Sequence, residues 1–274
     1  MKKITVTING KEYVYDSGIS LEDISSNFGN SPIGTLVLGI VNNELKDLTY
    51  KIEENAEIKF LDLSTTNGQK TYKRSLSFLF IKATHDIFKE ARVELCHTLS
   101  KGQYCKIENY PLLTEQCVRR IKERMIELVT QNLPFVREKL PLVEAMKLFH
   151  ETNREEKIQL FKNIDKKNIS IYTLGNYKDY FYGYLVPSTG YLSLFDLILE
   201  DEGVILLCPR KDNPTELTKH VYQPKLLKVF RETKEWAKIM GVNYVGALNQ
   251  IIVDKEYPDL IRTVEALHEN KIII

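Results

Sequence analysis

Apolar and polar residues alternate at the start of the chain. In ITVTINGKEYVYD, Ile4, Val6 and Ile8 alternate with threonines, Asn9-Gly10 supplies the residues a type I′ turn needs at positive φ, and Tyr13 to Tyr15 form the return strand. Ser20 followed by Asp23 is a capping-box pattern that opens a short helix over SLEDISSNF, ending near a turn signal at Gly29-Asn30. TLVLGIVNN and AEIKFLDL add two strands. Hairpin, helix and further strands within the first 63 residues predict a β-grasp, ubiquitin-like domain, residues 1–63, closing ahead of a polar joint, STTNGQK.

Beyond the joint the period lengthens. SLSFLFIKATHDIFKEA places Phe78, Ile81, Ile87 and Phe88 at helical spacing, and TEQCVRRIKERMIELVTQN carries Val118, Ile121, Met125 and Leu128 on one stripe behind the cap candidate Thr114. Pro134 stops that helix, and CHTLSKGQYCKI between the two reads strand-turn-strand with its turn at Lys101-Gly102. PLVEAMKLFHE is followed by the strand-rich IYTLGNYKDYFYGYLVPSTGYLSLFDLI and EDEGVILLCP, so residues 64–222 read as one mixed α+β domain. Residues 223–274 read as helical, with PKLLKVFRETKEWAKIMG expected to bury Leu226, Phe230, Ala237 and Met240 and with PDLIRTVEALHEN as a final amphipathic stretch. The fold class is α+β, without internal repeats.

Composition narrows the function classes. At 274 residues the chain suits two or more domains, and its 43% hydrophobic and 27% charged content is that of folded globular proteins. No apolar run approaches the roughly 18 residues of a membrane span, and MKKITVTING alternates instead of forming a signal-peptide core, so a cytoplasmic, non-membrane protein is expected. Cys96, Cys105, Cys117 and Cys208 lack the spacing of a zinc knuckle or a disulfide framework and read as reduced packing thiols. Cys96-His97 with Cys105 lacks a fourth ligand at suitable spacing, and no metal is expected. A net charge of +1 offers no global field for a polyanion. The basic run Lys219, Lys225, Lys228, Arg231, Lys234 and Lys238 is interleaved with Glu232 and Glu235, the pattern of a solvated helix face more than of an RNA surface. His85, a single helical histidine without a carboxylate at i+4, reads as structural. Tyr182, Tyr184 and Tyr191 suit base-stacking platforms and cross-strand packing equally.

The order of motifs carries a family resemblance. A β-grasp segment, a short polar joint, YKRSLSFL, then KGQYCKI, LTEQCVRRIKERMIELV and YGYLVPSTG resemble the N-terminal half of a threonyl-tRNA synthetase, where a TGS domain precedes the second additional, editing domain. The resemblance covers residues 1 to about 222. SKG-Y-C, YTLG, VPSTGY and EALHE segments also resemble the uridine kinase-like bacterial nucleoside kinases, in which the same domains precede a P-loop kinase domain and residues 223–274 are a helical bridge.

The family's editing site implies an HxxxH helix motif with a Cys and a His from the turn cassette. Here those positions fall on Arg74, Phe78, Phe181 and Leu185, so neither imidazole nor thiolate remains, and arginine is no base near pH 7. No GxxxxGK phosphate loop occurs, so no cofactor is expected in this chain, and ATP and Mg belong only to a kinase domain expected beyond it. Three functions compete. The first is a non-catalytic substrate-recognition or regulatory half of a uridine kinase-like protein, partnered by its own C-terminal kinase domain. The second is a TGS-type tRNA- or RNA-binding module without catalysis, and the third a tRNA-editing hydrolase, which the substituted site opposes. The resemblance further places Arg74, Lys101, Tyr104, Tyr182 and Tyr184 around the old editing pocket, where fixed cations beside aromatic faces would suit a nucleotide or an RNA 3′ end.

Overall fold

The computed structural model describes residues 2–28, 35–110 and 112–273, with the side chains of the final helix described to Ile272. The turn expected at Gly29-Asn30 lies outside the described residues. The chain divides into two compact units, one formed by Met1–Glu138 with Tyr172–Tyr222, the other by Lys139–Ile171 with Gln223–Ile274.

The first unit opens as a β-grasp. Strands β1 (Lys3–Ile8) and β2 (Lys11–Asp16) form the expected hairpin, with Asn9 and Gly10 at φ 50° and 76°. A two-residue strand β3 (Ile19–Ser20) leads into α1 (Leu21–Ser26), where the Ser20 hydroxyl accepts from the Asp23 amide at 3.0 Å and donates to the Asp23 carboxylate at 2.6 Å. Strands β4 (Leu36–Val41), β5 (Glu44–Asp47), β6 (Lys51–Ile52) and β7 (Ala56–Asp62) follow. The five-stranded sheet runs β2-β1-β7-β4-β5, with β1 and β7 parallel and the other neighbours antiparallel. Ile4, Val6, Ile8, Leu21, Ile24 and Ile58 are buried together beneath it, which is the apolar phase that the alternating sequence specified.

The joint expected at STTNGQK is instead the start of a helix. Thr65 caps α2 (Thr66–Ile87) by accepting from the Gly68 amide at 3.1 Å, and a Cβ at Gly68 would collide with the Asp62 carbonyl, so helix and strand end meet without a spacer. The 22-residue α2 packs with α3 (Glu115–Thr130, capped by Thr114) against strands β8 (Arg92–Leu99), β9 (Gly102–Glu108), β13 (Asp196–Glu200) and β14 (Gly203–Leu207). These strands form a sheet in the order β13-β14-β9-β8. Between them in sequence lie β10 (Val136–Pro141), α4 (Leu142–Glu151), α5 (Glu155–Lys162), β11 (Asn168–Leu174) and β12 (Tyr177–Tyr180). One sheet face carries Cys105, Ile107, Val204 and Leu206 into the core with Leu76, Phe78 and Leu79 of α2 and Val118, Ile121 and Met125 of α3. Val37, Leu61 and Leu63 of the grasp join the same core, so grasp and α+β layers share one apolar interior.

In the second unit, α4 and α5 meet through stacked Phe149 and Phe161, 5.9 Å apart. Helices α6 (Pro224–Ile239), α7 (Val245–Val253) and α8 (Tyr257–Ile273) complete it. Gly246 of α7 lets that helix approach α5 so closely that a Cβ would lie 2.5 Å from the Leu160 amide nitrogen. On α6 the expected Phe230, Ala237 and Met240 are half-buried, but Leu226 is 41% exposed and Leu227 is buried in its place, because Leu227, three residues before Phe230 and ten before Ala237, is the residue in phase with that stripe.

Candidate functional site

Arg74 and Phe78 stand four residues apart, on one face of α2. The segment they meet, Phe181 to Val186, is irregular backbone between β12 and a single 3₁₀ turn at Thr189–Tyr191. Phe78 is fully buried, its ring 4.9 Å from that of Phe181, 5.7 Å from Phe135 and 6.1 Å from Tyr177. Leu185 is buried in the same core. Three of the four positions at which the resemblance expects imidazole or thiol are therefore packed hydrocarbon.

The fourth, Arg74, holds the loop in place. Its Nη1 donates to the Tyr184 carbonyl at 2.6 Å. Gly183, at φ +95°, lies directly over the guanidinium, and a Cβ there would come within 2.9 Å of Arg74 Cζ. Burial works against the Arg74 cation and lowers its pKa, yet a guanidinium stays protonated in proteins. The Tyr172 hydroxyl donates to the Gly183 carbonyl at 2.8 Å, and the Val186 amide donates to Ser75 Oγ at 2.9 Å. Burial pushes the Tyr172 phenol up to about 12, so it remains a donor throughout the neutral range. Loop carbonyls and amides are thus satisfied by α2 and β11.

Outward of this plug, Tyr182 is 74% exposed, and the Arg137 guanidinium lies over the Tyr184 ring at 5.0 Å while pairing with Asp47 at 3.5 Å. Arg137 was not singled out in the sequence, where FVREKL after Pro134 shows no alternation that would have marked it. Arg74, Tyr182 and Tyr184 do come together. Lys101 is exposed at the β8–β9 turn, within electrostatic reach of Asp212, which pairs with Arg210.

Tyr104 sits elsewhere. Strand alternation puts it opposite Ile205 on the sheet face away from Cys105 and Ile107. There it is buried against Gly203 and stacked on His97 at 5.3 Å. The same alternation separates His97 from Cys105. That outer face also holds a buried pair, His220 with Glu200, while the Val221 amide donates to Ser100 Oγ at 3.2 Å. His85 packs its ring 5.0 Å from that of Tyr177. Among the described residues, no group of three or more His, Cys, Asp or Glu is arranged to hold a metal ion, and no helix is long and apolar enough to cross a membrane.

No family model matches the chain. A threonine–tRNA ligase of Thermotoga petrophila is 30% identical over 200 residues, 72% of this chain and 30% of the ligase. That of Aquifex aeolicus is 30% identical over 201 residues, 72% and 31% of the two chains, and that of Clostridium kluyveri 26% over 183 residues, 66% and 29%. Over most of its length this chain is similar to threonine–tRNA ligases. It spans only about 30% of the length of these curated relatives. The expected frame, a TGS-like β-grasp followed by a synthetase-like α+β domain and terminal helices, is the frame observed. Within it, the cluster around Phe78, Phe181 and Leu185 is a cation-braced loop over an aromatic filling, and these residues offer no general base and no nucleophile.

Proposed function

We propose that the chain acts as a non-catalytic tRNA-binding module of the cytoplasm, built on an editing-domain frame whose reaction pocket has been filled in. The observation that carries this reading is the packing of Phe78 against Phe181, with Arg74 bonded to the Tyr184 carbonyl, in a chain similar to threonine–tRNA ligases. A filled pocket cannot admit an aminoacyl ester, and its residues supply no proton acceptor. The surface over it supports a binding role. Exposed Tyr182 offers a stacking face for an unpaired base, and Arg137 supplies a fixed cation for the adjoining phosphate. The relatives named above are tRNA ligases and not nucleoside kinases, so they favour the tRNA reading over the kinase-half reading, and ATP, Mg and a kinase partner have no place in the proposal.

The test is an electrophoretic titration of tRNA with the wild type and with Tyr182→Ala. Loss of one stacking face should weaken binding roughly tenfold or more. Unchanged affinity would remove Tyr182 from the interface and with it the surface proposed here.

A further inference from the structure

Beside Ser188, Gly190 and Tyr191, the first unit holds a concavity of about 730 Å³, between α1, the start of β4 and the end of α3. It falls within the range of small-molecule sites, about 300–1,000 Å³. Its walls are hydroxyl-rich: Ser25, Ser26 and Ser188 line it with Glu22, Asn132 and Tyr191. No Lys, Arg or His is among its described lining residues. Several of these groups are held in place by bonds that leave their remaining capacity for a ligand. Tyr191 donates to Glu22 Oε1 at 2.9 Å, so Oε2 takes no part in that bond. Asn132 Oδ1 accepts from Ser188 Oγ at 2.6 Å and from the Gly190 amide at 3.1 Å, which fixes the side-chain amide and leaves its nitrogen out of both bonds. A Cβ at Gly190 would collide with Asn132 Oδ1, so glycine is what allows this approach. Ser25 and Ser26 donate to the carbonyls of Glu22 and Asp23 and keep oxygen lone pairs.

With one carboxylate and no cation among its described lining residues, the wall rejects phosphate and other anions. An ammonium ligand would use the acceptors but leave the Asn132 amide donor unmatched. Adjacent hydroxyls both donate and accept, and a carboxylate can take two of them at once. We infer that this cleft binds a neutral vicinal diol, the 2′,3′-diol of a ribose, with Glu22 accepting from the hydroxyls and the Asn132 amide donating to them. The diol has two sources, a free nucleoside or the terminal ribose of an RNA chain. The inference stands on the cleft alone and is independent of the tRNA reading above.

Ligand-observed magnetic resonance on the full chain, with adenosine, 2′,3′-dideoxyadenosine, adenosine monophosphate and putrescine as probes, tests it. Adenosine should bind, the dideoxy compound about tenfold more weakly, since a hydrogen bond to a charged acceptor is worth about that much. Glu22→Gln, which can still accept from Tyr191, should reduce the preference for adenosine by a similar factor. Competition by intact tRNA but not by periodate-oxidised tRNA would assign the diol to an RNA end; equal displacement by both, or none, would assign it to a free nucleoside. Equal binding of adenosine and its dideoxy form, tighter binding of putrescine, or no binding of adenosine up to about 10 mM, a range in which even weak sites are occupied, would overturn the inference.

Discussion

Arg74 stands where the family resemblance expects an imidazole, and in this chain it is a structural group. Its bond to the Tyr184 carbonyl joins a charged donor to a partly buried acceptor, an interaction worth about 1.5–3 kcal/mol. Arg74→Ala should lower unfolding free energy by about that amount in a denaturant titration, and Arg74→Lys should recover only part of it, because the ammonium lacks the planar fork that fits beneath Gly183. Phe78→Ala should cost more, about 3–5 kcal/mol, since it opens a cavity among Phe135, Tyr177 and Phe181. These positions were singled out through the resemblance, and the structure brings Arg74 and Phe78 of α2 against the segment that carries Phe181 and Leu185. The face that Tyr104 takes was not legible in the sequence. In GQYCKI both strand faces are largely buried, so polarity does not reveal which residues face α2, and only the pairing of Tyr104 with Ile205 settles it. Glu22 and Asn132 were missed for another reason, since each reads locally, one as a first-turn helix acid and the other as a residue at positive φ after a helix end.

The elements most legible in the sequence were those with their own punctuation. Asn9-Gly10 fixed the first hairpin, while Ser20 and Thr114 fixed helix starts by capping bonds that the structure contains. The start of α2 was misread as a linker because Thr65, Asn67 and Gly68 are turn formers until the Thr65 cap is recognised. Arg154 and Tyr244, the N-caps of α5 and α7, make no side-chain capping bonds, so no local signal announces these helices. Between α2 and α3 runs an ionic clamp: Asp86 pairs with Lys82 and accepts from Arg124 Nε and Nη2 at 3.0 and 2.9 Å. Burial pushes the Asp86 carboxyl up, but hydrogen bonds from Lys82 and Arg124 outweigh it and hold the group below the usual carboxylate range. A depressed folded-state pKa contributes stability that is fully present above the unfolded value, near pH 4, and is lost as pH falls through the folded value. Asp86→Asn should therefore destabilise by about 3–5 kcal/mol at neutral pH, leaving the buried Lys82 ammonium without its partner. The gap from wild type should narrow below about pH 4. A gap independent of pH from 7 to 2.5, measured by thermal unfolding at constant salt, would show that the carboxylate charge is not what the clamp uses.

Across the whole molecule, the two compact units respond to different substitutions. Gly246→Val would drive a branched side chain into the Gln159–Leu160 backbone, so amide exchange should accelerate in α5 and α7 before it does in α2 and α3. The mixed α+β class followed from the switch between strand and helix periods, and the synthetase-like frame from the order of motifs. Membership of the second unit did not, because residues 139–171 pack with residues 223–274 across a long stretch of sequence, and no local pattern encodes such pairing. In the function proposed above, a reaction frame serves as a binding frame. The most direct measurement incubates the full chain with a threonine-accepting tRNA mischarged with serine, following bound fraction and intact ester together. Salt-dependent binding is expected, with a Kd on the order of 1–100 μM at physiological salt, and with an ester half-life in the complex equal to that of free seryl-tRNA. Ester cleavage faster in the complex than in solution, or no retention of the tRNA at low salt, would contradict the proposed function.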